Sequence, residues 1–68
     1  MTNSLELELQ IKRFGITKKE IAKSLGISEQ ALFNKIKGET EFKASEIYKL
    51  TDILRLSAES RDLIFFNE

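Results

Sequence analysis

Between Thr17 and Gly38 the sequence TKKEIAKSLGISEQALFNKIKG contains two full sets of helix start and stop signals, and no other segment restricts the fold so tightly. Thr17 and Glu20 stand three apart, so the Thr hydroxyl can accept from the N–H of Glu20 while the carboxylate reaches back to the N–H of Thr17. A helix starts there. Ile21, Ala22 and Leu25 then fall at i, i+1 and i+4 as an apolar stripe, with Lys18, Lys19 and Lys23 left for the wet side. Gly26 ends this helix, because a left-handed residue after the last turn meets no Cβ clash in glycine. Ile27 can plug the corner. Ser28 can cap a second helix in which Leu32 and Ile36, four apart, face the core, and Gly38 marks its stop. So short a connection makes the two helices cross steeply and presents the second one outward.

The rest of the chain must supply what this pair packs against. A chain of 68 residues is one domain, and one of this size buries only about 60% of its unfolded surface. With no Cys and no His, the core has neither disulfides nor the usual zinc sites to support it. The same absence removes thiol nucleophiles and imidazole bases, so only carboxylates, Lys and hydroxyls remain for catalysis. Glu6, Glu8, Asp52 and Asp62 are scattered and read as helical charge decoration, which argues against an enzyme. No cofactor, metal or small-molecule ligand is expected. No signal-peptide pattern and no apolar run near the roughly 20 residues of a membrane span occurs, so the expected location is the cytoplasm.

No proline interrupts the chain, and Gly15, Gly26 and Gly38 alone punctuate it. Ahead of Gly15, Leu7, Ile11 and Phe14 follow i, i+4, i+7, with Ser4 available as N-cap. The same stretch also alternates from Leu5 to Ile11, the template of a half-buried strand. Helix is preferred, because Leu, Glu and Gln are good helix formers and no second strand pattern exists to pair with it. After Gly38, Glu39 to Phe42 reads as a short loop with Phe42 turned into the core. A helix from about Lys43 to Leu54 follows, with Ile47, Leu50, Ile53 and Leu54 as its buried stripe. Ser57 can cap a last helix, and Glu59 suits the positive end of its dipole. That helix ends in Leu63, Ile64, Phe65 and Phe66, four apolar residues in a row that one helix face cannot bury. The expectation is that Leu63 belongs to the core while Phe65 or Phe66 serves a homodimer. The fold class that follows is all-α, a compact bundle of five short helices over residues 1–68, with residues 17–38 as a helix-turn-helix.

Ala22 where the helices touch, Gly26 at the turn, apolar Ile27 and Leu32, and the closing Gly38 resemble the Cro and repressor-type helix-turn-helix proteins of the lambda-repressor-like superfamily, in particular its small phage and prophage regulators. FKASEIYKLTDILRLS and the terminal LIFF resemble the last two helices of such proteins, so the likeness covers nearly the whole chain. It implies sequence-specific binding to a double-stranded DNA operator, transcriptional repression, and a homodimer, formed in solution or only on DNA, on half-sites about 34 Å apart. It also implies that the residues just after the cap and one turn later specify sequence. With Ser28 at the tip, the base-reading positions become Glu29, Gln30, Phe33 and Asn34. Gln30 and Asn34 can each bond an adenine edge, Glu29 can accept from cytosine N4, and Phe33 can touch a thymine methyl. Lys35 departs from the commoner family spacing, which puts the second apolar anchor three residues after Leu32 rather than four. Phosphates would be held by Thr17 and Lys18 at the start of the first motif helix, and by Lys37, Thr40 and Lys43 after the second. Lys12, Arg13, Lys19 and Lys23 read as solvated charge.

Charge tempers this picture. Eleven basic and eleven acidic side chains give zero net charge with a pI near 6.3, where a DNA-binding domain usually lies above about 9. The charge is nonetheless polarised: residues 1–38 hold seven Lys or Arg against four Glu, net +3, and residues 39–68 hold four against seven acids, net −3. The alternative is a protein-interaction module on the same fold, using Glu29, Phe33 and the terminal aromatics.

Overall fold

Each break in the apolar pattern becomes a helix end. The structure, a computed structural model describing residues 1–66, has the order α1 (Ser4–Phe14), α2 (Lys18–Leu25), α3 (Glu29–Lys37), α4 (Ala44–Ile53) and α5 (Ala58–Phe65). It is an all-α bundle of five helices with no strand among the described residues. None of these helices is long and apolar enough to cross a membrane.

The Leu5–Ile11 stretch is helical, as the residue propensities favoured. Leu7 and Ile11 are buried while Leu5 and Leu9 face solvent, so the 3.6-residue period prevails over strict alternation. Two details differ from expectation. Asn3, not Ser4, is the N-cap, its side chain accepting the Glu6 N–H at 3.1 Å. Ser4 is thereby free to donate its hydroxyl to the C=O of Ile36 at the end of α3. Phe14 is exposed, because the chain reverses at Gly15 and Ile16 packs on the core in its place.

The α2–α3 unit follows its local signals closely. Thr17 and Glu20 form the reciprocal capping box. Gly26 sits at φ 72°, the left-handed region that a β-carbon disfavours. The Ser28 hydroxyl accepts the Ala31 N–H at 3.0 Å. Ile21, Ala22, Leu25, Leu32 and Ile36 are buried together, with Ile27 packed against them in the corner. α2 also lies on α4, and α1 lies on α3 and α5.

Phe42 enters the core, and Leu50 and Leu54 are buried with Ile47 and Ile53 packed beside them. α4 ends without glycine: Arg55 takes the left-handed position at φ 52°. Ser57 caps α5 through the Ser60 N–H at 3.0 Å.

The end of α5 corrects the expected assignment. Ile64 and Phe65 are buried, whereas Leu63 and Phe66 are exposed at 47% and 57%. Leu63 is therefore not a core residue and Phe65 is not available to a partner. The physical reason is a second wall. α1 packs on α5, and the Asn3 N–H just ahead of it donates to the Ile64 C=O at 2.7 Å; Thr2 is buried as well. The Phe65 ring meets Phe42 edge-on, with centroids 5.4 Å apart. The buried stripe is thus rotated by one residue from the Leu63-centred one.

Candidate functional site

Burial of Leu32 and Ile36 fixes which side of α3 meets solvent. Glu29, Gln30, Phe33 and Lys37 are exposed, and Asn34 is half-buried beside them. The predicted outward residues therefore share one face. Gln30 Nε2 donates to Asn34 Oδ1 at 3.2 Å, one helical turn apart. This leaves Gln30 Oε1 as an acceptor and Asn34 Nδ2 as a donor, an adjacent pair of opposite hydrogen-bonding sense. The Lys37 ammonium stands 4.8 Å from the Phe33 ring centroid, so the exposed ring carries positive charge over its face. Ser28 Oγ is used as an acceptor in its cap, and its O–H remains free to donate.

The expected phosphate-binding residues divide. Both donors of Thr17 point at Glu20: its N–H lies 3.0 Å and its hydroxyl 2.9 Å from Oε1. The Thr17 backbone and side-chain hydrogen bonds hold the Glu20 carboxyl below its ordinary value, against a smaller opposing desolvation. An anion approaching Thr17 would meet this carboxylate, so Thr17 is a cap and not a free anion site. Lys18 is paired with Glu8 at 2.9 Å, and Lys37 with Glu39 at 3.0 Å. Both pairs are well exposed and stabilise by only about 0–1 kcal/mol, so either ammonium can turn to another anion. Thr40 and Lys43 are exposed on the segment after α3.

A polar pair that the sequence reading missed lies behind this face. Lys35 Nζ sits 3.1 Å from Glu46 Oε1, with side chains only 11% and 7% exposed. Lys35 also donates to the Glu41 C=O at 3.1 Å, and Glu46 Oε1 accepts the Lys43 N–H at 2.8 Å. Burial pushes the Glu46 carboxyl up, but the Lys43 N–H and the hydrogen bond and charge of Lys35 outweigh it, with the charge of Lys43 adding to them. Its net position is below the ordinary value. Two signals were available. Glu46 stands three residues after Lys43, the N-cap of α4, and Lys35 stands one residue before the apolar Ile36 on the core side of α3.

Among the described residues no cluster of carboxylates is placed to hold a metal ion. Residues 5–68 match the protein family described as "Protein of unknown function (DUF739)". No curated protein and no solved structure matches the chain.

Proposed function

The chain belongs to the DUF739 family, and on the geometry of α3 we propose that it is a sequence-specific double-stranded DNA-binding protein that reads an operator as a helix-turn-helix repressor. It is not an enzyme on this reading. The observation that carries it is the outward face of α3, where Gln30 and Asn34 are coupled at 3.2 Å on a helix joined to α2 only by the turn Gly26, Ile27 and Ser28. Their free acceptor and donor match the N6 and N7 edge of adenine in the major groove, and Phe33 stands one turn from Glu29 and Gln30 where a thymine methyl would lie. Lys18, Lys37, Thr40 and Lys43 would hold phosphates on either side, fixing register without specifying sequence.

A single domain of this size offers few base contacts, so affinity comes from two copies on adjacent half-sites through effective concentration. Phe66 is the contact residue on α5. It shares a groove with Ala44, Ile47, Tyr48 and Arg61, and Tyr48 is 72% exposed.

Selection of bound sequences from a random duplex library tests the proposal. An enriched inverted repeat is expected, with affinity falling with salt at a log–log slope of about −3 to −5 for the few cations on this face. Gln30→Ala should relax preference at one position per half-site, whereas Lys37→Ala should weaken all sequences alike. No enrichment and no affinity at low salt would instead favour a protein-interaction module, for which the exposed Phe33 and the zero net charge speak.

A further inference from the structure

The Lys35–Glu46 pair has no part in the contacts above, yet it is the most buried ion pair among the described residues. We propose that Lys35 and Glu46 are positioning residues for DNA discrimination: without touching DNA, they hold the segment Gly38–Lys43 in one register against the outward face of α3. This rests on the DNA-binding reading.

The segment is tied at both ends. Next to α3, the Asn34 C=O accepts the N–H groups of Glu39 at 2.9 Å and Thr40 at 3.4 Å. Next to α4, Lys35 holds the Glu41 C=O and Glu46 holds the Lys43 N–H. Between these ties the Phe42 ring is buried, 6.0 Å from the Lys35 ammonium. Thr40 and Lys43, the phosphate-facing side chains, therefore ride on backbone whose position is set by the ion pair. The same Lys35 is part of α3, one residue from Asn34. Moving the pair moves the phosphate grip relative to the base-reading face.

Stability alone does not call for charge at this place. A well-packed apolar pair in a buried site is often as stabilising as an ion pair. What an apolar pair cannot do is donate to the Glu41 C=O or accept from the Lys43 N–H, and charge-assisted hydrogen bonds fix direction as well as distance. Since phosphate contacts set the register in which bases are read, a loosened segment blurs discrimination.

The double variant Lys35→Met/Glu46→Leu separates positioning from support. Three quantities are compared with wild type: the melting temperature, amide exchange in the DNA-free protein, and the affinity ratio between the selected duplex and a scrambled one. The expected result is a melting temperature at or above that of wild type. The Lys43 amide should exchange at least about tenfold faster, the fold-change for losing a hydrogen bond to a charged group, and the affinity ratio should fall by about tenfold. Glu46→Gln keeps an acceptor for the Lys43 N–H but leaves the Lys35 charge unpaired, so it should lower the melting temperature while moving amide exchange and the affinity ratio in the same direction as the double variant. Measured below its own melting temperature, its affinity ratio decides the matter if the double variant does not fold. An unchanged affinity ratio in a wild-type-like background overturns the proposal, whether or not exchange quickens. A wild-type protein that enriches no duplex removes the DNA-binding reading itself, an outcome that is distinct because no variant is involved.

Discussion

At Glu46 a carboxylate loses almost all its water and gains the Lys43 N–H and the Lys35 ammonium in exchange. Its folded-state pKa lies below its ordinary 4.5. The unfolded chain therefore binds this proton more readily than the folded one. The stabilisation is present in full above about pH 4.5 and is lost as pH falls through the folded-state value. Acidification from about pH 5 to pH 3 should lower the melting temperature of wild type more than that of Glu46→Gln, with the two converging in acid. Parallel pH dependences in the two proteins would show that the pair does not hold the carboxylate charged. Glu20 shifts in the same direction but is bound on the surface by its cap partner Thr17, so its part in acid sensitivity is set by the α2 terminus.

The α2–α3 unit depends on close approach at Ala22, which is 2% exposed in the centre of the buried cluster. A longer side chain has no space there without parting the helices. Ala22→Leu should destabilise by about 1–3 kcal/mol through overpacking, which in a domain of this size lowers the melting point by roughly 4–8 °C per kcal/mol. A thermal melt indistinguishable from wild type would mean that the two helices do not meet at this residue. α3 is held from the opposite side too, since Ser4 of α1 donates to the C=O of Ile36. Its outward face is thereby presented by contacts from α1, α2 and α4 together.

Over the whole molecule, the apolar end of α5, tied to Asn3 through the Ile64 C=O, divides into two roles. Phe65 is sealed against Phe42, and Phe66 is open beside Tyr48. Phe65→Glu should unfold the protein, because it buries an unpaired carboxylate. Phe66→Glu should leave helicity and melting intact while abolishing self-association and the advantage of a two-half-site duplex over a single half-site. Circular dichroism, sedimentation and binding to the two duplexes distinguish these outcomes. Undiminished pairing in Phe66→Glu would rule out α5 as the contact between copies. The charge is polarised along the same lines, with the net-positive residues 1–38 carrying α3 and the net-negative residues 39–68 carrying α5, so contact between two copies through α5 would have to rest on its apolar residues against like charge.

Much of this molecule was legible from local chemistry. Caps at Thr17, Ser28 and Ser57, the left-handed glycines and the 3.6-residue stripes act over a few residues of chain, so five helices and the outward face of α3 follow from sequence. Asn3 rather than Ser4 as cap was a choice between two good acceptors one residue apart, and it was decided by what Ser4 finds across the molecule. Three further features were beyond local reading. The stripe of α5 turned to Ile64 and Phe65, with Asn3 bound to the Ile64 C=O and Phe42 against the Phe65 ring, Lys35 found Glu46 across a loop, and Arg55 took a left-handed turn that carries no glycine signal. Helix ends and faces are set by bonds between near neighbours in the chain. The choice among four consecutive apolar residues, and the burial of two opposite charges together, depends on which distant segment arrives to remove their water.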